Sequence, residues 1–164
     1  MVKAQSAVME HLAPLAGKWR GRGKAEFPTI STFEYREELE FVSDTERPLF
    51  RYEQRTFRRL ENGEFTPSHW EIGFWRVLPD GQVQVLNAQS GGRVEISHGP
   101  IEPTPAGFRL TLQNELVAGD PRMIKTSRRF ELDGDEFRYT MDMSTTGVSE
   151  LSQHVSGSLV RAQA

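Results

Sequence analysis

Cysteine is absent from the chain. That excludes a disulfide framework, zinc ribbons, cysteine nucleophiles and thiolate-ligated haem together, and it agrees with a reducing, cytoplasmic setting. Long apolar runs are also missing. Nothing approaches the roughly 18 residues a membrane-spanning helix needs, and the N-terminal stretch lacks the apolar centre of a signal peptide. Charge of one sign is lacking as well: 20 Lys and Arg face 23 Asp and Glu, a formal net charge of -3. No basic footprint therefore exists for nucleic acid or an anionic membrane. Internal repeats, low-complexity tracts and linker-like breaks are likewise not found. What remains is a chain of 164 residues, 37% hydrophobic and 26% charged. That is enough for one globular domain over residues 1–164 with a sizeable core.

The apolar pattern has two regimes. From Ala4 to Leu15, the residues Ala7, Val8, His11, Leu12 and Leu15 recur at helical spacing. After Gly17 the period becomes two. In Phe33-Glu34-Tyr35-Arg36-Glu37-Glu38-Leu39-Glu40-Phe41 the odd positions are mostly apolar and the even ones charged or polar. Short strands continue over 49–60, 70–75, 82–86 and 93–97, and Phe108-Leu110-Leu112 and Phe137-Tyr139-Met141-Met143 alternate in the same way. Asn62-Gly63, Asp80-Gly81 and Asp133-Gly134 stand between such runs as turn formers. About ten antiparallel strands behind one short helix predict an all-β fold, either a barrel or a sandwich. A closed up-and-down barrel is favoured, because closure removes the sheet edges and the helix can plug one end.

Four histidines, at 11, 69, 98 and 154, are the candidate metal ligands. None of them pairs at the spacing of a zinc site. His11 reads as a packed or capping residue of the helix, and His98, before Gly99-Pro100, as solvated. His154 lies in the closing strand Leu151 to Arg161. Alternation sets Leu151, Val155 and Leu159 on one face and Ser152, His154, Ser156 and Ser158 on the other. If the serine face turns inward, small side chains leave room beside the imidazole for a flat ligand. If the Leu/Val face turns inward, His154 is ordinary surface. The serines lack a Gly-x-Ser-x-Gly turn or an Asp-His pair, Gly21-Arg22-Gly23 lacks the third glycine of a dinucleotide site, and the charge run Arg55 to Arg59 reads as a solvated face.

Gly17-Lys18-Trp19-Arg20-Gly21-Arg22-Gly23 resembles the Gly-x-Trp-x-Gly-x-Gly signature of the nitrobindin family. Phe27-Pro28-Thr29-Ile30, Phe33 to Glu38, His69-Trp70-Glu71-Ile72-Gly73-Phe74-Trp75-Arg76, and the end from Met143 through Gly147 and His154 to Arg161 resemble later blocks of that family, in order. The resemblance implies a ten-stranded antiparallel barrel, shaped like the fatty-acid-binding proteins, that holds one ferric haem b per chain. His154 would be the iron ligand, Thr29 would lie at the haem pocket, and His69 would line the distal side. A basic residue near the haem is expected before Arg128, with Arg122 the first choice and Lys125 the second. The activity implied is nitric oxide binding and conversion of peroxynitrite to nitrate, with small molecules as partners, compatible with a homodimer. A haem-free carrier of an apolar small molecule is the alternative, its carboxylate met by Tyr52 or Tyr139 with Arg51 or Arg138. A barrel with no small ligand is the third reading.

Overall fold

The computed structural model describes residues 2–163. A helix α1 (Val2–Leu12) is followed by one 3-10 turn (Ala13–Leu15). Pro14 sits in that turn, where its missing N–H ends α-helical bonding. The helix predicted over 4–15 is thus real but changes type at its last three residues. Eleven strands follow: β1 (Gly17–Phe27), β2 (Ile30–Ser43), β3 (Leu49–Arg59), β4 (Phe65–Val77), β5 (Val83–Gln89), β6 (Val94–Gly99), β7 (Ile101–Thr104), β8 (Gly107–Ala118), β9 (Met123–Asp133), β10 (Glu136–Thr145) and β11 (Val148–Arg161).

All neighbours in the sheet are antiparallel, and β1 pairs with β11 as well as with β2. The ring is completed where the second half of β8 pairs with β6, in the register Val94↔Ala118, Ile96↔Leu116 and His98↔Gln113. The first half of β8 pairs instead with β7, a short strand outside the ring. The result is a closed ten-stranded barrel with one extra strand and one helix. Closure leaves the barrel strands no free edge, which a sandwich of the same strands would have kept. His98 falls inside β6 rather than in a turn.

The barrel has two unlike ends. At one end α1 packs against the β4–β5 turn, where Gln5 Nε2 donates to the Val77 carbonyl at 3.0 Å. Leu12, Leu15, Trp19, Phe41, Phe50, Val83, Phe108 and Phe137 fill that half and are almost wholly buried. Trp19 is fixed there by its Nε1–H, which donates to the Leu15 carbonyl at 2.9 Å. His11 stays exposed beside this cluster rather than packing into it. The predicted turns at Gly63, Gly81 and Gly134 all carry positive φ, at 85°, 87° and 59°, the region where glycine alone is unstrained.

At the other end the core thins, and two glycines of paired strands explain how. Gly23 and Gly157 face each other across β1 and β11. A Cβ on Gly23 would stand 2.2 Å from the Tyr35 ring, and one on Gly157 would stand 2.4 Å from the Tyr139 ring. The two tyrosines therefore lie flat against bare backbone. Gly157→Ala should displace Tyr139 and cost about 1–3 kcal/mol, the usual penalty for overpacking. An unchanged urea midpoint in that variant would mean that the ring moves aside freely.

Candidate functional site

A cavity of about 280 Å³ runs from this core toward the end away from the helix. Its floor is Leu39, Phe41, Trp75 and Phe137, and its upper wall includes Phe33, Ser68, Arg93 and His154. Three side-chain groups give it chemistry.

The first is His154. In the β10–β11 ladder Met141 pairs with Val155 and Asp142 with Gln153, so His154 is the extra residue of a β-bulge. A bulge shifts side-chain direction by one position. Val155 and His154 consequently both line the cavity, although they are consecutive. This resolves the two readings of the closing strand differently from either. The Leu/Val face turns inward at Val155 and Leu159, while Ser158 is exposed, and the histidine joins it inside because the ladder slips. The small inward neighbours are Gly157 and Ala25, not serines. Nδ1 of His154 lies 3.3 Å from the Glu26 carbonyl, and the Phe27 ring meets the imidazole edge-on at 5.7 Å. Burial lowers the pKa of His154, with the Glu26 carbonyl opposing, so the neutral imidazole is favoured. With its proton on Nδ1, facing that carbonyl, Nε2 keeps a free lone pair. It has no hydrogen-bond partner among the described residues.

The second group is an ion-pair cluster. Arg128 of β9 reaches both oxygens of Glu71 on β4, Nη1 to Oε1 at 2.8 Å and Nη2 to Oε2 at 3.0 Å, and Nη2 also meets Glu95 Oε2 of β6 at 3.1 Å. The Tyr52 hydroxyl donates to Glu71. Arg93 Nε stands 2.9 Å from Glu95 Oε1 as an ion pair, off the direction a hydrogen bond needs. His69 Nε2 lies 3.5 Å from Glu71 Oε2. Burial pushes the Glu71 carboxyl up, but Arg128 and His69 outweigh it and hold it well below the ordinary carboxylate range. Two arginines and two glutamates balance, so this wall is polar without net charge.

The third group is a hydroxyl chain. The Tyr139 hydroxyl lies 2.6 Å from Glu37 Oε2 and 2.7 Å from the Tyr35 hydroxyl. Gln54 Nε2 donates to Glu37 Oε1 at 2.5 Å. Glu37 is 1% exposed. Burial raises its pKa to about 7, with the Tyr139 and Gln54 hydrogen bonds opposing and Glu71 adding to the rise.

Of the residues singled out in the sequence, His154 and His69 both line the cavity. Thr29 is exposed on the two-residue β1–β2 turn, at the same end of the barrel but outside the lining. Arg122 is exposed on the β8–β9 turn, its guanidinium held by Asp120 at 3.0 Å, and Lys125 is exposed on β9. The basic groups in the cavity wall are instead Arg93 and Arg128. Arg51 and Arg138 point outward to surface glutamates, so neither pairs with Tyr52 or Tyr139. Those tyrosines face Glu71 and Glu37. Sequence reading passed over Glu37, Glu71, Glu95 and Arg128, although each stands at an inward position of an alternating strand.

Comparison with known proteins adds to this geometry. A family model described as a THAP4-like, heme-binding beta-barrel domain matches residues 8–161. A protein of Arabidopsis thaliana named Peroxynitrite isomerase Rv2717c is 39% identical over 135 residues, covering 82% of this chain and 78% of its own. The Peroxynitrite isomerase of Mycobacterium leprae is 35% identical over 158 residues, covering 94% and 95%. The crystal structure of Rv2717c from M. tuberculosis superposes with a TM-score of 0.86 at 31% identity, over 95% of this chain and 98% of that one.

Proposed function

This chain belongs to the nitrobindin family of haem-binding β-barrels, and from that membership we propose that it holds one haem b on His154 and converts peroxynitrite to nitrate. The observation that carries the assignment is the bulged His154, with Nδ1 turned to the Glu26 carbonyl and Nε2 left as a lone-pair donor on the wall of an open cavity. A neutral imidazole anchored through its other nitrogen is the donor that haem iron takes. The absence of cysteine leaves no thioether attachment for a c-type haem, which supports a non-covalently held haem such as haem b. Haem held on His154 would supply the iron chemistry for binding nitric oxide and for converting peroxynitrite to nitrate.

The chain's own residues hold and shield that centre. Ala25 and Gly157 keep bulk away from the His154 side, and Phe33, Met141 and Val155 give a flat ligand apolar contact. His69, four strands round the barrel on β4, lines the cavity as a distal residue without binding iron. Thr29 and Arg122, exposed on turns at the cavity's end of the barrel, are the residues that would border the haem pocket. The carrier reading is disfavoured, because a fatty carboxylate would face Glu37 and Glu71 with Arg128 already engaged on both its forks.

Titrating the purified apo-protein with hemin should give a one-to-one, saturating Soret shift. The loaded protein should then accelerate peroxynitrite decay with nitrate as product. A titration that never saturates, together with an apolar molecule extracted from the purified chain, would return the carrier reading.

A further inference from the structure

We propose that Glu37 is the proton store of this cavity, wired to its wall through Tyr139 and Tyr35, and that, where Glu37 is ionised, a small anion enters the cavity together with one proton. This rests on the haem reading only for the place where the anion lands.

A count of protons carries it. Four oxygens stand in line: Glu37 Oε2, Tyr139 Oη, Tyr35 Oη and the Ser156 carbonyl, separated by 2.6, 2.7 and 3.0 Å. All three contacts have hydrogen-bond length, so each calls for one hydrogen. The two phenols supply two, because burial holds both tyrosines protonated. The third can come only from Glu37, since a carbonyl oxygen has none to give. With Glu37 protonated, the chain runs from Glu37 to Tyr139, from Tyr139 to Tyr35, and from Tyr35 to the Ser156 carbonyl. Loss of that proton reverses the line. Tyr35 then donates to Tyr139 and Tyr139 to Glu37, and the Ser156 contact is left without a hydrogen.

Among the described residues, no cation is paired with Glu37. Beside it on β2 stands Tyr35, on β3 Gln54 and Thr56, on β10 Tyr139, and across the β1 ladder Gly21. The charge acting on it from β4 is Glu71, of the same sign, and Arg128 is committed to Glu71 and Glu95. An anion held in the cavity adds a further negative charge beside Tyr35 and Tyr139. Binding therefore favours the protonated carboxyl, which takes its proton from solvent; no bond of the anion is made or broken. Linkage requires the converse, that anion affinity falls as Glu37 loses its proton.

Infrared spectroscopy of the apo-protein and of the hemin-loaded protein tests this, with azide as the anion. The carbonyl stretch of a buried carboxylic acid should be present in mildly acidic buffer, disappear on titration to alkaline pH, and be missing in Glu37→Gln. In Tyr139→Phe the band should persist at a shifted frequency, because its acceptor is gone. Saturating azide should move the midpoint of the band upward. Azide affinity should fall with pH more steeply in the wild type than in Glu37→Gln, by up to about tenfold per pH unit. Absence of the acid band at every pH would overturn the store. A midpoint unmoved by azide that visibly binds would overturn the coupling. Failure of hemin to bind shows separately, in the visible spectrum, and overturns the coupling together with the haem reading; the apo-protein band then still decides the store.

Discussion

Hemin titrated into His154→Ala should give no saturable Soret shift, while the variant remains folded. His154 and His69 are the two imidazoles on the cavity wall, and they are not equivalent. His154 is pushed inward by a bulge and presents Nε2 with no hydrogen-bond partner among the described residues. Nε2 of His69 lies 3.5 Å from a Glu71 carboxylate that is itself locked to Arg128. Removing a partner behind a metal ligand costs roughly 10–100-fold in affinity, so removing the ligand itself should cost more. The fold has little reason to notice. His154 is half-buried and contributes one long hydrogen bond and one ring-edge contact, so its loss should cost about 1 kcal/mol or less. Truncation to glycine with imidazole in the buffer should restore the Soret shift, which separates a lost ligand from a collapsed pocket. Unchanged hemin affinity in His154→Ala would shift the assignment to His69, with His69→Ala the next variant to titrate.

Most strands were legible because their signals are local and repeated. Period-two alternation, turn glycines and one short amphipathic segment each need only a few consecutive residues, whereas β7 and β9 stood out in no run, and closure into a barrel rather than a sandwich depends on the distant pairing of β6 with β8. The site was legible only in part, for two separate reasons. Alternation assigns faces on the assumption of an unbroken ladder, and the closing strand breaks it at His154. The sequence therefore offered His154 and Val155 as opposites when both turn inward. The polar wall was missed although its positions could be read. Glu37 sits between Tyr35 and Leu39, Glu71 two places before Gly73, and Arg128 two before Phe130, all on inward parity. A charged residue on the inward face of an alternating strand is a signal in its own right, since burying an unpaired charge is prohibitive. What no spacing could supply was the partnership, since Arg128 and Glu71 lie 57 residues apart and meet only when β4 and β9 face each other across the closed barrel.

That partnership yields the largest expected loss of stability. Arg128→Ala should destabilise the protein by about 3–5 kcal/mol in urea unfolding at neutral pH, the range for breaking one side of a buried ion pair. Glu71 and Glu95 are 2% and 1% exposed and would be left facing each other with Arg93 alone against Glu95. The pH dependence should also change sign. In the wild type, Arg128 overcomes burial and depresses the Glu71 pKa, so the folded state binds fewer protons there than the unfolded chain. That contribution is full above the ordinary carboxylate pKa and lost as pH falls through the depressed value. Without the guanidinium, burial acts on Glu71 unopposed by its main partner and raises the pKa instead. The folded variant then binds the proton first, and its stability should rise as pH drops from neutral toward the ordinary carboxylate value. Arg128→Met combined with Glu71→Gln should recover much of the loss, because it removes the orphaned charge together with its partner. Urea midpoints for the three proteins at neutral and mildly acidic pH distinguish the cases. A loss below about 1 kcal/mol in Arg128→Ala, with the wild-type slope retained, would mean that water entering the cavity replaces the arginine.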